Sequence, residues 1–283
     1  MKSLCIKTNN NKIIDYLLKD FENLNLPETY ITVKNFHHFK NIILHCKNSN
    51  PTLFINSVSN ILTKSIILFF EKTILSNSIN LNYFYFNSFE KNRIINNTLE
   101  LLNNYENINI KYDIINNKLF EYLNDNHSIY LKSFVDFRLS EYLSFIDEKI
   151  DLCVNKFLVD KEYLEFVNIL RLYIKSESLN SNIKHLHLIY KNKDSIIIND
   201  NKEIVSCNDN ISKAKYISDI SFSSNDLALN TLLNLLPQEI TIHLIDGYPD
   251  EFINTLKLIF QDRVMICQDC DICKMYSYKK IEY

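Results

Sequence analysis

The chain has 283 residues, 46% of them hydrophobic and 23% charged, a balance that lets a globular protein bury a real core. Gly occurs once and Trp never. A Rossmann fingerprint, a Walker A loop and a kinase glycine loop are thereby excluded, because each needs several glycines where backbone meets phosphate. A formal net charge of −3 removes the usual electrostatic case for nucleic acid as a partner.

In chain order, the patterning predicts an α+β fold in three regions: a mixed α/β part over 1–86, a helical part over 87–180, and an α/β part with a cysteine-bearing tail over 181–283. In the first, 4–7 and 30–33 read as strands flanking a helix over 11–24, with a third strand at 41–46. Pro51 opens a helix to about residue 75, with Ile55, Val58, Leu62, Ile66 and Phe69 or Phe70 on one face. Residues 82–86 (NYFYF) read as a short aromatic strand or linker.

In the second region, Asn87 with Glu90 three residues on has the form of a capping box. Residues 134–158 form the clearest predicted helix, in which Leu139, Ile146, Ile150 and Phe157 recur at intervals of three and four. Asp160 is expected to cap a following helix, giving an antiparallel hairpin.

In the third, 184–190, 195–199 and 203–206 look like a meander whose tight turns place Asn or Asp at left-handed positions. Ser223 with Asp226 starts a helix that Pro237 ends. Then come a strand over 240–245, the turn Asp246-Gly247-Tyr248, a helix over 249–260 with Pro249 at its first position, and a strand over 263–267. Such a βαβ crossover predicts two parallel strands that are adjacent or nearly so. Gly247 is predicted to have positive φ, since it turns strand into helix within three residues.

Cys267, Cys270 and Cys273 form the one chemical motif, two successive C-x-x-C steps. Thiolates at this spacing can converge on one metal when the chain turns back. A ferredoxin run would need another Cys at 276, which is Tyr276, so iron–sulfur is disfavoured and zinc is the candidate cofactor. A fourth ligand must come from elsewhere, and the carboxyl ends of the parallel strands offer Asp246 and His243. His185 and His187 share a face of another strand, and Cys207 follows the meander. The sulfurs are expected within ~4 Å of one another if the tail folds back. Against metal, Asp269 and Asp271 oppose thiolate formation. A redox pair or three structural thiols are the alternatives, while His243 also reads as a satisfied core residue and His37-His38 as a surface pair.

Three blocks resemble the YtxC family of sporulation proteins: 134–142 (FVDFRLSEY), 157–166 (FLVDKEYLEF) and 240–273 (ITIHLIDGYPDEFINTLKLIFQDRVMICQDCDIC). The upstream NYFYFNSFEK fits as well. The resemblance implies a cytoplasmic protein of an endospore-forming, low-GC Firmicute, consistent with the depletion of residues that have GC-rich codons. It implies no reaction. Family members carry Gly or a small residue where this chain has Asp269, and Asp tolerates left-handed backbone better than most residues.

Within the first block, Arg138 is expected at helical spacing from Glu141 and Tyr142, as a surface ion pair or as an anion or partner contact. No secretory signal is expected from residues 1–12, and the longest fully apolar run, 66–70, is far short of the ~18 residues a spanning helix needs. Seven Cys, an odd number, fit reduced thiols in a cytoplasmic protein. The expected function is therefore a cytoplasmic, sporulation-associated protein, non-enzymatic or regulatory, acting through a protein partner. The rival is a metal- or thiol-dependent enzyme or sensor using the tail.

Overall fold

A computed structural model describes residues 2–24, 29–36, 39–47, 51–177, 183–205, 223–245 and 247–278. The chain divides into two compact units, Met1–Val159 and Asp160–Tyr283. Each carries one four-stranded mixed sheet with helices, so the fold is α+β with a helical middle, as the patterning predicts.

The first unit contains β1 (Lys2–Thr8), α1 (Asn11–Glu22), β2 (Thr29–Asn35), β3 (Lys40–Cys46), α2 (Pro51–Asn82), α3 (Ser88–Leu102), α4 (Tyr105–Asp125), β4 (Ser128–Tyr130), α5 (Leu131–Arg138) and the first part of α6 (Ser140–Glu177). Its sheet has the order β2-β3-β1-β4, antiparallel except for the parallel β1–β4 pair. Alternation along β1 buries Leu4, Ile6 and Thr8, and α1 lays Ile13, Ile14, Leu17 and Phe21 into the same core. Asn10 caps α1 by accepting the Lys12 N–H at 2.9 Å. The capping box at Asn87 is present, with both of its hydrogen bonds made.

Helix α2 is long and apolar enough to cross a bilayer by length and composition alone. It is a core helix here. Phe54, Ile55, Val58, Leu62, Ile66, Leu75 and Ile79 are buried, and so is Glu71, which pairs with Lys111 of α4.

Two helical expectations need correction. The segment 134–158 is not one helix: it breaks at Leu139 (φ −105°, ψ 39°) between α5 and α6, and helical hydrogen bonding restarts with the Leu143 N–H donating to the Leu139 carbonyl. The predicted stripe survives the break, with Leu139, Ile146, Ile150 and Phe157 all buried. Nor does Asp160 cap a second helix; α6 runs unbroken to Glu177, and the unit boundary falls inside it. Residues 159–166 are exposed, and Asp160 sits in the interior of α6, where the helix-forming run on either side overrides its capping preference.

The second unit adds β5 (His185–Lys191), β6 (Asp194–Ile198), α7 (Ser224–Leu235), β7 (Glu239–Leu244), α8 (Glu251–Phe260), β8 (Val264–Ile266) and α9 (Asp271–Tyr278). The sheet order is β6-β5-β7-β8; β5–β6 is an antiparallel hairpin, and β5–β7 and β7–β8 are parallel. The predicted crossover is thus present. The hairpin turn places Asn192 (φ 52°) and also Lys193 (φ 68°) in the left-handed region. Of the expected strand at 203–206, the described part forms only an isolated bridge at Ile204. Pro249 precedes the N-cap rather than opening the helix, because Asp250 takes the cap and accepts the Ile253 N–H at 3.2 Å. Gly247 has φ +116°, as expected.

One face of this sheet (Leu186, Leu188, Tyr190, Ile240 and Ile242) packs into an apolar core with Leu232, Ile253, Leu256 and Phe260. Strand alternation puts His185, His187, Thr241 and His243 on the other face. That face carries the site.

Candidate metal centre

Strand β8 delivers the first cysteine. It pairs with β7 through Ile242↔Ile266, and the Cys267 N–H extends the ladder by donating to the Ile242 carbonyl at 2.9 Å. Cys267 therefore sits at the carboxyl end of the parallel pair, beside His243. The chain then reverses through Asp269, at φ 105°, a backbone region that favours Gly. The reversal brings Cys270 to the start of α9, where its carbonyl accepts the Lys274 N–H, and Cys273 lies in the first turn of that helix.

The result is a compact set of four donors. Cys273 Sγ lies 3.8 Å from Cys267 Sγ and 3.9 Å from Cys270 Sγ. His243 Nδ1 lies 3.3 Å from Cys273 Sγ and 3.5 Å from Cys270 Sγ. All four donor atoms fall within 4.8 Å of one another. His243 and Cys273 are buried, at 1% and 8% exposure, and Cys267 and Cys270 are half-buried.

The electrostatics suit a cation. Burial, reinforced by any charge on His187 and His185, holds the His243 ring down at about 4, so it is neutral at pH 7, the form a metal requires. Burial pushes the Cys273 thiol up to about 11, with Cys267 adding to the rise. For Cys270, burial is outweighed by the N–H groups of Cys273 and Ile272 and by the neighbouring thiols, and its thiol is lowered. Three sulfurs in one hollow resist joint ionisation, and a divalent cation among them reverses that balance.

A second group lies on the same sheet face. His187 Nδ1 is 3.0 Å from His243 Nε2. His187 Nε2 is 3.3 Å from Asp200 Oδ1, and His185 Nδ1 is 2.7 Å from the same oxygen. His185 Nε2 lies 2.8 Å from Thr241 Oγ1.

Of the residues singled out in sequence, Cys267, Cys270, Cys273 and His243 are brought together. Asp246, Cys207 and the His37-His38 pair lie outside the described residues. Arg138 ends α5, exposed, with its guanidinium 5.9 Å from the centre of the Tyr122 ring. The break at Leu139 takes it out of helical register with Tyr142, whose hydroxyl instead donates to buried Glu71 at 2.8 Å. Arg138 also borders a polar cavity of about 260 Å³ with Lys118, Glu121 and Asp125. Asp200 was not legible as a site residue: it follows β6 in a turn, and only strand pairing brings it to the histidines.

Fold and site together define a two-unit α+β protein with a Cys3His cluster at the carboxyl end of a parallel strand pair. The chain belongs to the YtxC-like family, whose model matches residues 56–265. The match ends just before Cys267, so the three clustered cysteines lie beyond it. No curated protein and no solved structure matches the chain.

Proposed function

We propose that this YtxC-like protein is a cytoplasmic, sporulation-associated, non-enzymatic protein whose second unit is held by a structural zinc ion at Cys267, Cys270, Cys273 and His243. One observation carries the metal reading. Zinc bonds of ~2.3 Å to sulfur and ~2.0 Å to nitrogen, at tetrahedral angles, separate two sulfurs by ~3.8 Å and sulfur from nitrogen by ~3.5 Å. Two of the three sulfur pairs here are at 3.8 and 3.9 Å and two of the three sulfur–nitrogen pairs at 3.3 and 3.5 Å, with the remaining pairs within 4.8 Å.

Four protein donors fill a tetrahedral sphere and leave no position for water or substrate, which favours a structural role over catalysis. Cys3His also fits zinc better than an iron–sulfur cluster, which takes four thiolates or, in the Rieske type, two thiolates and two imidazoles. The ion would bind the tail and α9 to the face of the sheet that carries the histidines, adding to the burial of Ile189 and Ile198 on that face. Action through a protein partner is supported by the exposed Leu81, Phe84, Tyr85 and Phe89 around the α2–α3 turn. The sporulation and cytoplasmic assignments rest on the family resemblance.

Metal analysis of protein purified without a His tag, paired with thiol titration, tests the reading. One zinc per chain is expected, with three thiols becoming reactive only after chelation and the zinc lost in Cys273→Ser. A metal-free chain with three freely reacting thiols would overturn it and favour thiol chemistry.

A further inference from the structure

We infer that His187 and Asp200 form an outer shell that selects Nδ1 of His243 as the metal-binding nitrogen, and that the His185–His187–Asp200 group is not a second metal site while the first is filled. This rests on the Cys3His reading above. The ring protons of the three histidines decide it.

A metal at the four-donor site takes the lone pair of His243 Nδ1, the nitrogen that faces the sulfurs. The single ring proton must then sit on Nε2, which lies 3.0 Å from His187 Nδ1. That contact is a hydrogen bond only if His187 Nδ1 is bare and accepts. The His187 proton is thereby forced onto Nε2, which faces Asp200 Oδ1 at 3.3 Å and donates to it. Asp200 also accepts from His185 Nδ1–H at 2.7 Å, leaving His185 Nε2 bare to accept the Thr241 hydroxyl at 2.8 Å. Every ring proton has one place and every ring acceptor one donor. A half-buried chain of hydrogen bonds thus runs from an exposed carboxylate to a buried ligand, the arrangement that fixes ring orientation and raises ligand basicity at metal sites.

The same ring protons decide what the outer group does. His185, His187 and Asp200 also offer three donor atoms within 4.8 Å, enough to suggest a metal of their own. An ion there would need the lone pair of His187 Nε2, moving its proton to Nδ1. Two N–H groups would then face each other across 3.0 Å. Filling the Cys3His site therefore withholds His187 from a second ion, and the two groups act as one site with an inner and an outer shell.

Cobalt and zinc titration of the full chain, with affinity read by competition against a chromophoric chelator, tests this. Expected are one equivalent bound, a thiolate-to-cobalt charge-transfer band, and a 10–100-fold loss of zinc affinity in His187→Leu and Asp200→Ala with the band intact at saturation. His187→Asn, whose amide oxygen can stand where Nδ1 stands, should recover much of the affinity; recovery separates positioning from packing. Long-range proton–nitrogen spectra of the zinc-loaded chain should show His187 protonated on Nε2 and bare on Nδ1. Wild-type affinity in both variants, a proton on His187 Nδ1, or a second equivalent bound without loss of the first would overturn the inference while leaving the inner site standing. Absence of the charge-transfer band in the wild-type chain would take down both readings together.

Discussion

Lys111→Met tests how the first unit holds its helices. Lys111 is 1% exposed, and its ammonium donates to both oxygens of Glu71 at 2.9 Å and to Asn103 Oδ1 at 3.1 Å. Tyr142, fully buried, adds a hydroxyl to Glu71. Removing the cation leaves a carboxylate at 4% exposure with the hydroxyl as its remaining partner in this group. Breaking a buried pair from one side costs ~3–5 kcal/mol, because the desolvation of the surviving charge is no longer offset. For a unit of this size, ~1 kcal/mol moves Tm by ~2–4 °C, so a fall of ~6–20 °C is expected. Circular dichroism melts and urea titrations of the full chain would measure it. The double variant Glu71→Leu/Lys111→Met removes both charges and should recover most of the loss, since a well-packed apolar replacement is often neutral. A single variant within ~1 kcal/mol of the parent, or a double variant as poor as the sum of the singles, would refute the view that the pair is closed to water.

That cluster also marks where sequence reasoning ends. Local signals were sufficient wherever neighbours in the chain decide the structure: the capping boxes at Asn87 and Ser223, the stripe from Leu139 to Phe157, the positive φ at Gly247. The clustering of the three cysteines was legible for the same reason. Cys267 is tied to a strand end, and the next two follow at three-residue steps. His243 became a candidate once the crossover fixed its strand as a neighbour. Glu71 and Lys111 are 40 residues apart on separate helices, and Asp200 lies 15 from His185 in a polar turn. Nothing local distinguishes such residues from solvated charges, since only tertiary pairing gives them partners. The break at Leu139 belongs with these, because its surroundings keep a helical pattern: Leu139 and Tyr142, three residues apart, are both buried, as an unbroken helix would also have them.

Two further predictions concern the second unit. At Gly247 a Cβ would meet nothing within 4 Å, so Gly247→Val should cost ~1–2 kcal/mol through backbone strain alone, and Gly247→Ala about the same; a urea midpoint unchanged by either substitution would contradict the positive φ. The other is the acid response of the chelator-treated, metal-free protein. Burial, then the charges of His187 and His185, hold the His243 ring at about 4 against an ordinary 6.5, and His187 is lowered as well, by burial first. A histidine with a depressed folded value takes up its proton more readily in the unfolded chain. Its contribution to stability is therefore complete above pH 6.5 and is lost as pH falls toward 4. The His243 shift alone corresponds to roughly 3 kcal/mol at full effect, an upper figure for a ring 1% exposed. Urea titrations at pH 7.5, 5.5 and 4.5 in the presence of chelator should show the midpoint falling across that window, with the steepest change below pH 6.5. Nuclear magnetic resonance of the His243 ring should find it neutral down to about pH 4. A ring that protonates near 6.5, with a midpoint flat over the same range, would mean that water reaches the nitrogen, and the hollow proposed to receive zinc would not be closed.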